Sequence, residues 1–185
     1  SIKLGMREYE IFSKNIYYSS KEDEELILYS DLEAALERQE FFIVYQPQVF
    51  ASDHKVSGVE ALLRWRHPKR GMISPEKFIY IAEEAHLIAP IGIWVLETAV
   101  KQYQKWQYQT QNYLPLRVSV NVSIQQLQSN TFFSNVQKIL NKYEIPPEFL
   151  EIELTESIFI DQAELIIEKL NQLKKLGIQI AIDDF

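Results

Sequence analysis

Cysteine is absent from the 185 residues, which excludes a disulfide framework and a cysteine-ligated zinc. A chain without cysteine fits a reducing compartment, so a cytoplasmic location is expected. Long apolar runs are also missing: none approaches the ~18 residues of a bilayer span. The opening Ser1-Ile2-Lys3-Leu4-Gly5 lacks the apolar core of a secretory signal, so any membrane anchor would have to lie outside this segment. Positive charge is in deficit, with 19 Lys and Arg against 26 Asp and Glu for a net charge of −7. That balance argues against a nucleic-acid polymer as partner, although a phosphorylated small molecule stays compatible if metal ions mediate its contact. What is present, 46% hydrophobic and 12% aromatic residues, is ordinary for a folded chain with one substantial core and one to two domains.

Residues 1–30 are polar and charged, with Lys21-Glu22-Asp23-Glu24-Glu25 as a charge run, and read as a solvated linker or helix. From Asp31, which can cap it, an amphipathic helix is expected with Leu32, Ala35, Leu36 and Gln39 on one face. Residues 41–49 and 56–65 read as strands joined by a short polar turn, hence an antiparallel hairpin. Ser74 and Pro75 open a helix with Phe78, Ile81, Ala82 and Ala85 as its apolar stripe, and a second helix carries Ile93, Leu96, Val100 and Tyr103. The remainder alternates. Leu116, Val118, Val120 and Val122 have period two and form a strand. Phe133, Val136, Leu140 and Tyr143 form a helix stripe, and Leu150, Ile152 and Leu154 a strand. Ile166, Leu170 and Leu173 form a helix closed by Gly177, and Ile178, Ile180 and Ile182 the last strand. Strands alternating with helices imply right-handed parallel crossovers and therefore an α/β sheet or barrel.

Parity along these strands gathers the chemistry. With the even-numbered residues apolar in 116–123, Arg117, Ser119 and Asn121 face the other way. By the same rule Glu151 and Glu153 share a face, as do Gln179, Ala181 and Asp183, and as do Glu60 and Arg64. In a β/α barrel the aliphatic side meets the helices and the other side points inward. Glu60, Asn121, Glu153 and Asp183 are then expected near the C-terminal strand ends, where such barrels keep their active sites. Three carboxylates and an amide oxygen make a hard donor set suited to Mg²⁺ or Mn²⁺. The alternative is a solvated polar interior with an ion pair to Arg64 or Arg117. The histidines suit no catalytic role: His54 and His86 read as surface residues and His67 as a residue that orders its loop. Trp65, Trp94 and Trp106 read as packing residues.

Glu60-Ala61-Leu62, within Gly58-Val59-Glu60-Ala61-Leu62-Leu63-Arg64-Trp65, resembles the signature of the bacterial EAL-domain phosphodiesterases. Further segments match in order: Gln46-Pro47 before it; His67-Pro68, Gly71 and Ser74-Pro75 after it; then Asn121-Val122-Ser123, Glu151-Ile152-Glu153-Leu154-Thr155-Glu156-Ser157 and Ala181-Ile182-Asp183-Asp184-Phe185. The resemblance covers residues 31–185 and implies a modified (β/α)8 TIM-type barrel with an antiparallel first strand. It implies hydrolysis of cyclic di-GMP to linear pGpG with two Mg²⁺ or Mn²⁺ ions, by an in-line displacement needing no side-chain nucleophile. Ca²⁺ is expected to bind and inhibit, because its looser coordination disturbs a geometry set for Mg²⁺. Carried over by residue, Glu60, Asn121, Glu153 and Asp183 would hold one metal, and Asp183 and Asp184 would approach the second. Arg64 would contact a substrate phosphate, Gln46 would line the nucleotide pocket, and Glu156 would anchor the loop after the double aspartate.

The family's glycine-rich loop and its later lysine and glutamate have no counterpart up to Phe185, so the chain is expected to supply about five strands of eight and to be inactive by itself. Aliphatic residues beside the last strand would then be exposed. Residues 1–30 resemble a linker or tail from an upstream sensory or diguanylate-cyclase-like (GGDEF) domain, and a homodimer stays open. A second reading keeps the fold but not the reaction: a catalytically silent relative that binds cyclic di-GMP or a protein. Silent relatives lose the signature Glu, the Asn or an Asp, and none is lost here.

Overall fold

Glu and Leu are the commonest residues of 21–30, and neither Pro nor Gly interrupts that segment, so helix propensity is sustained upstream of the expected start. The computed structural model describes residues 21–109, 116–155 and 163–183. Its first helix, α1 (Lys21–Ala35), runs straight through Asp31. That residue is therefore not a cap, and Leu28 joins Leu32 and Ala35 in the buried face. Gln39 lies beyond the helix in left-handed backbone, φ 56°, so it leaves the expected stripe. Residues 1–20 of the expected linker lie outside the described residues.

Strands β1 (Phe41–Val49) and β2 (Val56–His67) form the antiparallel hairpin, with Gln46 opposite Glu60. The segment after His67, expected to be a loop, folds back as β3 (Gly71–Ile73), antiparallel to β2 with Trp65 opposite Ile73. Three residues are too few to give a periodicity signal. Helices α2 (Pro75–Glu84) and α3 (Ile88–Gln109) follow, then β4 (Arg117–Asn121), α4 (Ile124–Gln128), α5 (Phe132–Tyr143), a 3-10 turn at Pro147–Phe149, β5 (Leu150–Thr155), α6 (Ala163–Leu176) and β6 (Gln179–Asp183). The sheet order is β1-β2-β4-β5-β6, with β3 attached to β2. The pairs β2–β4, β4–β5 and β5–β6 are parallel. The result is an open, barrel-like α/β sheet.

Val118, Val120, Ile152 and Leu154 are buried on the helix-facing side, and Phe41, Trp65 and Phe78 form an aromatic block under the hairpin. Two stripes are rotated from expectation. On α5 the buried residue is Phe132, with Phe133 and Tyr143 half-buried; on α3, Ile93 lies half-buried at the edge of the buried face. A stripe drawn on spacing alone does not resolve a rotation of this size. Ser74 occupies the N-cap of α2 with Pro75 after it, but its hydroxyl makes no capping bond. Gly177 closes α6 at φ 99°, the left-handed conformation glycine tolerates best.

His67 does order its turn. Its Nδ1 accepts the backbone N–H groups of Lys69 and Arg70 at 3.2 and 3.1 Å. The proton is thereby assigned to Nε2, which lies 3.0 Å from Asp31 Oδ2 on α1. Leu165, Ile167 and Ile182 are exposed. Among the described residues no helix is long and apolar enough to cross a membrane.

Candidate active site

The sheet brings the expected residues to one face but not to one level. In parallel register Glu60 pairs with Ser119, and Ser119 with Glu151. Asn121 pairs with Glu153, two residues further toward the C-terminal ends, and Asp183 pairs with Thr155, two residues further again. The four positions therefore climb in steps instead of forming the single ring that parity suggested. Staggered register is what a tilted, barrel-forming sheet imposes.

One hydrogen bond spans the first step: Asn121 Nδ2 donates to Glu60 Oε1 at 2.8 Å. Glu153 is buried and accepts from Gln48 Nε2 at 3.1 Å. Gln48 comes from β1, so the hairpin supplies the partner. Below it, the Ser119 hydroxyl donates to Glu151 Oε1 at 2.7 Å, and Arg117 holds Glu151 in an ion pair at 2.5 Å. The ion-pair alternative is thus realised for Arg117 and Glu151, one level beneath the Asn121–Glu153 pair. Arg64 instead donates to the Leu63 carbonyl at 2.8 Å. Gln46 is exposed opposite Glu60. The sequence reading missed Gln48; the signal was its place on β1, opposite Gly58 and two residues from the strand pair of Glu60.

Burial is the main cause that lifts the Glu153 carboxyl above its ordinary range. Gln48 and Ser119 oppose this through hydrogen bonds, while the charges of Glu60 and Glu151 add to it. Glu60, Asn121 and Glu153 are oxygen donors, and a divalent cation would relieve the unfavourable charge on Glu153, so the set fits Mg²⁺ or Mn²⁺. Among the described residues no three His, Asp or Glu side chains converge to hold a metal. Glu156 and Asp184 lie outside the described residues, and Asp183 is placed by its backbone alone.

A cavity of about 280 Å³ opens beside Arg64, Asn121 and Glu153 and runs between α2 and α3, lined by Pro75, Ile79, Ile91 and Val95. Glu83 on α2 and Gln126 on α4 also line it. At Ser123, sequence reading saw a motif position. The structure adds a capping box: Ser123 N–H donates to Gln126 Oε1 at 2.9 Å, and Gln126 N–H to Ser123 Oγ at 3.4 Å.

A mixed, mainly parallel β/α sheet with carboxylates and an asparagine on one face near its C-terminal strand ends is the arrangement of a barrel-type α/β domain. Within that class the chain belongs to the EAL-domain family, whose profile matches residues 30–185. It is 37% identical over 159 residues to the cyclic di-GMP phosphodiesterase PA2567 of Pseudomonas aeruginosa, covering 85% of this chain and 27% of that protein. It is 40% identical over 162 residues to the cyclic di-GMP phosphodiesterase PdeR of Escherichia coli, covering 88% and 24%. The solved PaMucR phosphodiesterase in complex with c-di-GMP superposes with a TM-score of 0.81 at 38% identity, covering 85% of this chain and 63% of that one. The chain spans about a quarter of the length of those two curated relatives.

Proposed function

We propose that the protein carrying this chain hydrolyses cyclic di-GMP to linear pGpG. The observation that carries the reading is the pairing of Glu60 with Asn121 and the burial of Glu153 on the same face, in a chain whose relatives are cyclic di-GMP phosphodiesterases. Glu60, Asn121, Glu153 and Asp183 would hold one Mg²⁺ or Mn²⁺, and Asp183 with Asp184 the second. When bound, such a pair acidifies a water and neutralises charge developing on phosphate.

This chain's own groups bind and orient. Arg64 reaches a phosphate at the cavity entrance, where a guanidinium grips two oxygens and an ammonium cannot. Gln48 fixes one Glu153 oxygen, and Ser119 with Arg117 neutralises Glu151 beneath it, so the face keeps its shape before any ligand arrives. Gln46 would lie at the rim of the nucleotide site, and Glu156 would anchor the loop after Asp184. Ca²⁺ would occupy the same donors and inhibit.

The bifunctional diguanylate cyclase/phosphodiesterase MucR of Pseudomonas aeruginosa is 38% identical over 162 residues. It supports an upstream cyclase-like domain joined through residues 1–30, with the EAL portion beginning near residue 31. The alternative is a silent receptor for cyclic di-GMP. In the full-length protein with Mg²⁺, Glu60→Ala should abolish hydrolysis while the thermal midpoint stays within a few degrees of wild type. Full activity in that variant would remove Glu60 from the site, and binding without turnover in the wild type would select the receptor.

A further inference from the structure

Two costs meet at one point beside the turn that follows Asn121. Gln126 on α4 is buried, and its Nε2 is the only side-chain nitrogen or oxygen atom among the described residues that is fully buried and without a hydrogen-bond partner. Its Oε1 accepts the Ser123 N–H of the capping box, so the amide orientation is fixed and the nitrogen is the end left over. That nitrogen lies against α3: a Cβ at residue 92 would come within 1.5 Å of it, and the residue there is Gly92. Gly92 is itself buried, inside a 22-residue helix, where glycine is less favourable than alanine. An unpaired buried donor costs as much as a capping bond contributes, or more. Stability therefore explains neither residue; what their contact holds in place explains both.

What it holds is the short turn from β4 into α4. The ladder between β2 and β4 ends at the pair Ala61–Val120, so Asn121 stands one residue past it on that side. On the other side it is still paired, Asn121 with Glu153, and Val122 N–H donates to the Glu153 carbonyl at 3.0 Å. Helix α4 begins at Ile124 and is five residues long, far below the ~12–15 residues at which an isolated helix becomes even marginal. Its place is set by its cap and by its two buried side chains, Gln126 and Leu127. The reciprocal bonds of Gln126 with Ser123, at 2.9 and 3.4 Å, thus clamp the backbone just beyond Asn121, and Gly92 lets that clamp seat on α3. Asn121 in turn donates from Nδ2 to Glu60 at 2.8 Å. An amide ligates a hard cation through its oxygen alone, so this bond fixes which atom a cation would take.

We propose that Gln126, seated on Gly92, is a positioning residue for the metal site: it holds the β4–α4 turn so that Asn121 stays bonded to Glu60 and offers its oxygen to the cation. Glutamate also completes such a box, but it would add a negative charge beside a cavity already lined by Glu83 and Glu153. The neutral amide supplies the capping oxygen without that charge. The inference rests on the reading of Glu60, Asn121, Glu153 and Asp183 as metal ligands and adds two residues that lie outside that donor set.

The test is calorimetric titration of chelator-treated full-length protein with Mn²⁺, alongside a thermal melt of each variant. Gln126→Ala should weaken Mn²⁺ binding about 10- to 100-fold, the range for a residue that orients a metal ligand. Its thermal midpoint should stay within a few degrees of wild type, because the lost cap and the removed orphan donor offset each other. Asn121→Ala is the reference and should weaken Mn²⁺ at least as much. Gly92→Ala should resemble Gln126→Ala, since its methyl group displaces the amide. The double variant should bind Mn²⁺ no more weakly than Gln126→Ala, because the methyl then has nothing to displace. If Asn121→Ala weakens Mn²⁺ but Gln126→Ala binds it as wild type does, the proposal fails while the metal reading stands. It also fails if Gln126→Ala melts far below wild type, which makes the glutamine a support of the fold at large, or if the double variant is weaker than Gln126→Ala, which makes Gly92 act by another route. Wild type that binds no Mn²⁺, or Asn121→Ala that binds it as tightly as wild type, overturns the metal reading and this inference with it.

Discussion

The two faces of the central strands are buried alike and built oppositely. On β4 and β5, Val118, Val120, Ile152 and Leu154 turn toward the helices, while Ser119, Glu151 and Glu153 turn the other way, and all seven are buried. Burial on the helix side removes apolar surface from water and stabilises the fold. Burial on the other side desolvates carboxylates, which stabilises nothing unless each oxygen finds a partner. The contrast teaches where function resides: Glu151 has two partners in Arg117 and Ser119, whereas Glu153 is left with its pKa raised. A carboxylate held at a cost in an otherwise satisfied face is a functional candidate on physical grounds.

The largest effect should come from breaking the aliphatic face. Ile152 is 0% exposed in a central strand, so Ile152→Ala should cost about 2–5 kcal/mol in urea unfolding of the full-length protein. A cost below about 1 kcal/mol would mean the sheet collapses to fill the space. Next, Arg117→Ala removes the cation over Glu151, whose side chain is 9% exposed. The expected loss is about 1–3 kcal/mol, moderated because Arg117 is itself 40% exposed.

Glu153→Gln should behave unlike either. Because the folded pKa of Glu153 lies above its ordinary 4.5, the folded state holds the proton more tightly than the unfolded one. Metal-free stability therefore falls as pH rises from 4.5 to the folded pKa, and is flat above it. The variant should lose that segment of the fall and be at least as stable as wild type at neutral pH without metal. An unchanged pH slope would show that Glu153 is not the group responsible.

The smallest effect lies on the surface, where Lys142 donates to Glu97 at 2.6 Å between α5 and α3. That hydrogen bond lowers the Glu97 pKa, so its contribution is present above the unfolded value and is lost as pH falls through the folded one. Glu97→Gln should change stability by less than about 1 kcal/mol, and added salt should erase the difference.

Much of this was legible in the sequence because parity is a local property. The alternation in 116–123 and 150–154 placed Asn121 and Glu153 on one face without reference to any neighbour. What parity cannot carry is register: the steps from Glu60 to Asn121 and Glu153 to Asp183 depend on how far each strand slides past the next. Long-range partners were illegible for the same reason. Gln48 reaches Glu153 across 105 residues of chain, and Asp31 reaches His67 across 36. The Gly92–Gln126 contact is set by the crossing of α3 and α4, which no spacing encodes.

The central claim is that the polar face directs water onto a phosphodiester of cyclic di-GMP. Incubating the full-length protein with cyclic di-GMP and Mg²⁺ in ¹⁸O-labelled water, and weighing the product, tests it most directly. The account predicts linear pGpG carrying one ¹⁸O in its new terminal phosphate, formed by wild type and not by Glu60→Ala. Bound but unconverted cyclic di-GMP, or a linear product free of label, would contradict it.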